Sequence, residues 1–310
     1  MKLLTNLQLI TKPMASNQNR RSAIKNMLAG TAAITASGVL TSFTSTEQDK
    51  PMLPDTLKGN INHAVCRWCY GDITVEQLCA AAKDIGIKGI DLVGPSDWPT
   101  LKKYGLYSSM CNGAEINLTD GFGDKQFHAQ LQKNYSEMIP KVAAAGYKNL
   151  ICFSGSRRGK DNETGWNNCV EGLKPLVALA EKHNVVLVME LLNSKIDHKD
   201  YQCDRVSWGA ELCKRLGSEN FKLLYDIYHM QIDEGDVIRN IRDNHQYIAH
   251  YHTGGVPGRN EIDDTQELYY PAIMKAIVAV GHKGFVAQEF IPKQPDHIAS
   301  LRKAVHICDV

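Results

Sequence analysis

The feature that most constrains the fold is a recurring unit, in which an Ala-rich helical segment ends at Gly and a short apolar strand follows. The clearest copies end at Gly86, Gly146 and Gly281, and Asn184 and Gly217 close two more helices. Gly and Asn adopt the left-handed conformation that ends many helices. Helices that repeatedly lead into buried strands predict βαβ units and a parallel sheet.

The count of eight strands predicts an α/β fold, a single-domain (β/α)8 TIM barrel. The predicted strands lie near 61–66, 88–93, 106–111, 149–153, 185–190, 221–226, 247–252 and 284–289. The predicted helices lie near 74–85, 96–104, 125–145, 166–182, 204–216, 234–242 and 270–280, with a last one after 295. Thr74 and Gln77 predict a capping box, and Pro140 predicts a kink or a helix boundary. A doubly wound open sheet would normally carry a Gly-rich phosphate turn after its first strand, which this sequence lacks.

The N-terminal segment, 1–45, differs from the rest of the chain because no acidic residue precedes Glu47. Adjacent Arg20 and Arg21 come before a modest apolar run, an order that resembles a twin-arginine signal and predicts export to the periplasm. A tail without a signal is the alternative. Gly and Thr interrupt the apolar run, so we expect no stable membrane span in the mature chain. Residues 46–59 contain Pro51 and Pro54 and predict a linker, which leaves 60–310 for the barrel.

Charge and cysteine content narrow the classes of partner. The formal net charge of +1 gives no electrostatic footprint for nucleic acid, so we expect no nucleic-acid partner. The nine cysteines are odd in number and spread along a long chain, which favours structural thiols over a disulfide framework. Cys66 and Cys69 have CxxC spacing, but no second pair completes a zinc site. Homo-oligomerisation stays open.

Four successive predicted strands each end at a side chain that can bind a metal. These residues are Glu190, Asp226, His252 and Glu289, separated by 36, 26 and 37 residues, near the length of one βαβ step. Because the active sites of such barrels lie at the carboxyl ends of the strands, the four side chains should converge. Three converging carboxylates would repel one another without a cation. Three carboxylates and one imidazole favour Mn²⁺, Mg²⁺ or Co²⁺, and Zn²⁺ is compatible.

Further polar residues lie near the predicted strand ends. His229 follows Asp226 closely, and Arg259 lies in a Gly-rich loop where its guanidinium could clamp a carboxylate. Four more residues are each as consistent with a structural role as with lining a pocket: His63, Trp68, Asn112 and Arg157.

Several motifs resemble the hydroxypyruvate isomerase family, within the wider xylose isomerase-like barrels that include the tagatose/psicose 3-epimerases. They are Glu190-Leu-Leu-Asn193, Tyr225-Asp-Ile-Tyr-His229, His250-Tyr-His252, Val256-Pro-Gly-Arg-Asn-Glu261 and Gln288-Glu-Phe290, and the resemblance covers roughly 60–305. Hydroxypyruvate isomerases commonly carry Gln where His252 stands, whereas the epimerases carry His. The loop Thr253-Gly254-Gly255 and Ile262 also depart from the hydroxypyruvate isomerase pattern.

The resemblance implies that Glu190, Asp226, His252 and Glu289 bind a divalent metal, with the two glutamates as the acid/base pair. His229, Arg259 and Glu261 would contact the substrate, a small sugar or hydroxy-keto acid. The implied activity is isomerisation through an enediolate, with ketose 3-epimerisation as the first alternative. The same residues leave open dehydratase chemistry, an endonuclease IV-like enzyme and an exported, non-catalytic carbohydrate-binding barrel.

Overall fold

The computed structural model describes residues 56–310, in which eight short parallel strands close into a barrel in sequence order. The strands are β1 Asn62–Cys66, β2 Gly89–Val93, β3 Tyr107–Cys111, β4 Asn149–Cys152, β5 Val186–Glu190, β6 Phe221–Asp226, β7 Ile248–Thr253 and β8 Phe285–Gln288. β8 pairs with β1, so the sheet has no open edge. The predicted (β/α)8 barrel is therefore confirmed.

Helices connect the strands and pack around the barrel. They are α1 Val75–Ile85, α2 Trp98–Tyr104, α3 His128–Ala145, α4 Asn162–His183, α5 Val206–Leu216, α6 Ile227–Asp233, α7 Val237–Asn244, α8 Tyr270–Ala279 and α9 His297–Cys308. The predicted capping box is present at α1, where Thr74 and Gln77 bond to each other's backbone amides. Gly146 and Asn184 adopt positive φ at the ends of α3 and α4, as their sequence positions predict.

Helix predictions differ from the structure at three places. α4 begins at Asn162 and not near 166, because the side chain of Asp161 caps the amide of Thr164. The helix predicted for 234–242 is α7, and a short helix that was not predicted, α6, precedes it with Asp226 as its cap. Pro140 lies inside α3 and does not mark a boundary of that helix.

The two ends of the described chain meet at the amino end of the barrel. The amide of Lys58 donates to both carboxylate oxygens of Asp309, at 2.8 and 3.1 Å. Leu57 packs against the core, so the last residues of the predicted linker contact the barrel. The predicted export segment, 1–45, lies outside the described residues.

The structure also tests the predicted state of the cysteines and shows whether any described helix could span a membrane. All nine cysteines are buried free thiols, as the structural interpretation predicted. Within 56–310, no helix is both long enough and apolar enough to cross a bilayer.

Candidate metal centre

The four residues predicted as metal ligands meet at the carboxyl end of the barrel. Glu190 and Asp226 are the last residues of β5 and β6, His252 lies near the end of β7, and Glu289 directly follows β8. One ligand atom from each lies within 4.8 Å of the others, and all four side chains are buried. The parallel strands therefore bring together residues that are up to 99 positions apart in sequence.

Two of the ligand atoms in this cluster, one nitrogen and one oxygen, have no hydrogen-bond partner in the described chain. His252 Nδ1 lies 2.7 Å from Glu289 Oε2 and 3.4 Å from Glu190 Oε1. Neither His252 Nδ1 nor Glu190 Oε1 has a hydrogen-bond partner among the described residues. Buried polar atoms without a partner are uncommon and call for an explanation, such as an ion. Lone pairs directed at one point fit a divalent cation.

The pKa values of the cluster residues are also consistent with a bound cation. Burial raises the pKa of Glu190, and it raises that of Asp226 to about 8 despite the opposing charge of Arg259. Burial alone would lower the pKa of His252, but Cys66, Glu289 and Asp91 raise it. In the protein alone, burial thus disfavours the ionised forms of Glu190 and Asp226. A cation would stabilise the ionised carboxylates and the neutral imidazole.

The two glutamates have different surroundings. Glu289 Oε1 accepts a hydrogen bond from Trp68 Nε1 at 2.7 Å, and its other oxygen contacts Arg259 Nη2. Burial alone would raise the pKa of Glu289, but Arg259 and His252 hold it well below its usual range. Glu289 is thus a fixed anion, whereas Glu190 is a less restrained carboxyl group whose neutral form burial favours.

Arg259 and His229 complete the cluster. Arg259 Nη2 lies 3.0 Å from Asp226 Oδ2. The backbone of Arg259 has a positive φ of 58°. His229 is fully buried, and its Nε2 lies 3.6 Å from the same Asp226 oxygen. Asn193 Nδ2 donates to His229 Nδ1 at 2.6 Å, while Asn193 Oδ1 accepts from two backbone amides. This arrangement assigns the proton of neutral His229 to Nε2, the nitrogen that faces the cluster.

A cavity of about 350 Å³ opens onto this cluster. Glu190, Glu289, Arg259 and His198 supply its polar lining. The remaining wall is apolar or aromatic and consists of Trp68, Leu92, Leu118, Phe153 and Leu192. Its size is at the lower end of small-molecule sites.

The structure does not bring Glu261 into the cluster. Glu261 Oε1 accepts from the backbone amides of Lys293 and Gln294 and from Ser300 Oγ. The carboxylate thus braces the loop after β8 and is not among the residues that line the cavity, contrary to our expectation of a substrate contact.

Of the four residues that could line a pocket or be structural, only Trp68 lines the cavity. Asn112 is not among its lining residues. His63 faces Asp309 at the amino end of the barrel, and Arg157 pairs with Asp204 at 2.8 Å.

Sequence reasoning missed Asp91, a buried carboxylate in β2. Asp91 Oδ1 accepts a hydrogen bond from His252 Nε2 at 2.9 Å. Burial alone would raise its pKa, but His250 and His252 hold that pKa below the usual range. The one signal in the sequence was a charged residue within an apolar strand, Gly89-Ile-Asp-Leu-Val93.

Comparison with known families identifies the fold family. The family model described as "Xylose isomerase-like TIM barrel" matches residues 79–306. The chain belongs to this family. The family-level resemblance predicted from the motifs is therefore confirmed.

Curated relatives of the family match parts of the chain. A human protein named putative hydroxypyruvate isomerase is 30% identical over 124 residues, which cover 40% of this chain and 45% of that protein. The D-psicose 3-epimerase of Ruminiclostridium cellulolyticum is 29% identical over 231 residues, 71% of this chain and 69% of the relative. Matches to the first-named relative thus span less than half of its length.

Solved structures share the fold at low sequence identity. The AP endonuclease, family 2, of Brucella melitensis superposes with a TM-score of 0.70 and 21% identity, over 78% of this chain and 97% of that chain. The IOLI protein, solved with a bound zinc atom, gives a TM-score of 0.66 and 14% identity, over 80% and 98%. At such identities these likenesses show the fold alone.

Proposed function

We propose that this family member is a divalent-metal-dependent isomerase or epimerase of a small sugar or hydroxy-keto acid. It would move a proton on a carbon next to a carbonyl, through an enediolate. The observation that carries the proposal is the buried set of four ligand atoms within 4.8 Å of one another, at the ends of four successive strands. Two of the four residues, Glu190 and Glu289, line a cavity. Relatives named isomerase and epimerase support it.

Glu190, Asp226, His252 and Glu289 would hold the cation, for which Mn²⁺, Mg²⁺ or Co²⁺ fits the oxygen-rich set. Zn²⁺ is supported by the zinc-bound structural relative. A divalent cation supplies Lewis acidity that lowers the pKa of a C–H bond beside a carbonyl.

The chain's own groups would handle the proton. Glu289, held as an anion by Arg259 and Trp68, suits the base that removes a proton from the substrate carbon. Glu190, whose pKa burial raises, suits the acid that returns a proton to the adjacent carbon or the opposite face. The guanidinium of Arg259 lines the cavity and would donate hydrogen bonds to substrate oxygens as negative charge develops there. His229 is fully buried and does not line the cavity, and its Nε2–H faces Asp226, contrary to our expectation of a substrate contact.

The same groups would support either reaction. Return of the proton to the neighbouring carbon gives aldose–ketose isomerisation, and return to the opposite face gives epimerisation. The imidazole at position 252 favours the epimerase branch, because hydroxypyruvate isomerases commonly carry Gln there. The loop Val256-Pro-Gly-Arg-Asn-Glu261 favours the hydroxypyruvate isomerase branch.

The test is deuterium exchange in D₂O. Full-length protein, stripped of metal and reloaded with Mn²⁺, Mg²⁺, Co²⁺ or Zn²⁺, is incubated with ketoses, aldoses and hydroxypyruvate and followed by NMR. We expect metal-dependent uptake of deuterium beside the carbonyl, and the product separates isomerase from epimerase. Glu289→Gln should abolish the exchange. Glu219→Gln is the matched control, because the Glu219 side chain is 91% exposed and pairs with Lys222 far from the cluster.

Two results would contradict the proposal. Exchange that is equally fast in stripped protein would show that the reaction needs no metal. Tight sugar binding with metal present but without any exchange would support a carbohydrate-binding barrel in place of an enzyme.

A further inference from the structure

Asp91 contacts the proposed metal ligand His252 at Nε2, the ring nitrogen that faces away from the two glutamates. The proposed function gives Asp91 no role. Its side chain is fully buried. Asp91 Oδ1 accepts from His252 Nε2 at 2.9 Å, and Asp91 Oδ2 accepts from Ser109 Oγ at 2.6 Å. His250 Nε2 lies 2.9 Å from Asp91 Oδ2. Both oxygens of the carboxylate are therefore occupied.

The backbone around Asp91 is distorted. The register between β2 and β3 shifts on both sides of Asp91, and the next residue, Leu92, has a positive φ of 55°. A left-handed conformation is strained at a residue such as Leu, because Cβ approaches the following carbonyl oxygen. Irregularities of this kind re-aim side chains. In β2 the irregularity accompanies two consecutive inward side chains, since Asp91 reaches His252 while Leu92 lines the cavity.

Stability alone does not account for this arrangement. A carboxylate at zero exposure loses its hydration, and well-packed apolar residues are often as stabilising as a buried ionic network. A strained residue, Leu92, directly after a buried charge, Asp91, therefore suggests a functional constraint.

We propose that Asp91 is a positioning residue that fixes His252 in the tautomer whose Nδ1 lone pair faces the cation. A carboxylate can only accept, so its hydrogen bond requires the proton on His252 Nε2. The lone pair is then on Nδ1, the atom that lies 2.7 Å from Glu289 Oε2 and 3.4 Å from Glu190 Oε1. Carboxylates behind metal-bound imidazoles act in this way and also raise the basicity of the ring. This inference rests on the proposed metal centre.

A competing hypothesis treats Asp91, His250 and His252 as a second cation site, because one ligand atom from each lies within 4.8 Å of the others. Ser109 and His252 already satisfy the Asp91 carboxylate through hydrogen bonds. The positioning role therefore requires only one cation per chain.

The first test compares Asp91→Asn with Ser109→Ala. Asparagine keeps the shape of the side chain but removes its charge. Its amide can present either its oxygen or its nitrogen to His252 Nε2, so it no longer requires the ring proton on Nε2. Affinities for Zn²⁺ and Mn²⁺ are measured by calorimetry against a competing chelator, with folding checked by circular dichroism. We expect Asp91→Asn to weaken binding about 10–100-fold.

Ser109→Ala is the matched control because it removes a hydrogen bond from Asp91 without touching His252. It should cost stability but change metal affinity by no more than about threefold, since the carboxylate stays in place. Equal metal affinity in Asp91→Asn and the parent protein would overturn the positioning role. Two ions per chain in the parent, and one in Asp91→Asn, would overturn it in favour of a second site. A parent protein that binds no metal would contradict the proposed function itself.

A second measurement needs no variant. In ¹⁵N-histidine-labelled, Zn²⁺-loaded parent protein, NMR should show His252 with its proton on Nε2 and its metal-perturbed shift on Nδ1. A proton on Nδ1 would overturn the inference whether or not Asp91→Asn folds.

Discussion

The two ends of the barrel bury titratable groups in opposite ways. At the amino end, His63 is buried near Asp309, and the Asp309 carboxylate accepts the amide of Lys58. Burial lowers the pKa of both His63 and His282 to about 4, so these imidazoles are neutral near pH 7. At the carboxyl end, three buried carboxylates and one imidazole bring their ligand atoms to within 4.8 Å of one another.

The two ends differ in the free-energy cost of burying their titratable groups. Neutral imidazoles and a paired carboxylate allow burial at modest cost. Converging carboxylates are costly unless a cation or a cationic side chain accompanies them. The amino end therefore serves folding, and the carboxyl end is the place to look for chemistry, as in barrels of this type generally.

The largest effect should follow from Glu289→Gln at saturating metal. We expect turnover to fall about 10³-fold, in the range that loss of a positioned acid/base group produces. Steady-state rates on whichever substrate shows deuterium exchange provide the measurement. The exposed Glu219→Gln control should keep parental rates. A loss of less than about tenfold in Glu289→Gln would remove this residue from the proton transfer.

The next effect concerns acid stability at the amino end. The folded-state pKa values of His63 and His282, about 4, lie below the unfolded value of 6.5. The unfolded chain therefore binds more protons between pH 6.5 and 4, and stability is lost as the pH falls through that window. Each imidazole can contribute up to about 3 kcal/mol of this loss.

Urea unfolding of the metal-free parent and of His282→Gln, at several pH values from 7 to 4, tests the prediction. The unfolding free energy of the variant should depend less steeply on pH. Identical slopes for the two proteins would show that His282 does not titrate on unfolding.

A smaller effect is expected for Asp309→Ala, which removes the carboxylate that accepts the Lys58 amide. The free energy of unfolding should fall by about 1–3 kcal/mol, because the Lys58 amide loses part-buried hydrogen bonds to a charged acceptor. Denaturant midpoints measure the loss. Turnover at 25 °C should stay at the parental level, and a large drop would mean that the two ends of the barrel are not separate in function.

The smallest effect is expected for Glu190→Gln in metal-free protein. Burial raises the pKa of Glu190, and its Oε1 has no hydrogen-bond partner within 56–310, so loss of the charge should not destabilise the fold. We expect the unfolding free energy at pH 8 to be unchanged or to rise by up to about 1 kcal/mol. Added metal should stabilise the parent more than the variant. A clear loss of stability without metal would indicate that Glu190 has a structural role.

The sequence predicted the barrel because helix endings and apolar strands recur with a regular period. It also predicted the four converging residues, since Glu190, Asp226, His252 and Glu289 each stand where a strand ends. Periodicity fixes which end of a strand a residue occupies, and parallel strands align those ends.

Asp91 was missed for the opposite reason. It stands within β2, where a register shift and the positive φ of Leu92 set the direction of side chains, and no period encodes such irregularities. Glu261 was misjudged because the family motif gives its position in a loop but not the direction of its carboxylate, which turns to the amides of Lys293 and Gln294. The helix α6 was missed since its cap, Asp226, was considered only as a ligand.

The most direct test of the central claim is a titration of stripped protein with Co²⁺, followed by visible absorption and by calorimetry. We predict one tightly bound ion per chain in the parent protein and much weaker binding in Glu190→Ala. No bound Co²⁺ in the parent, or equal affinity in Glu190→Ala, would contradict a metal centre at the ends of β5 to β8.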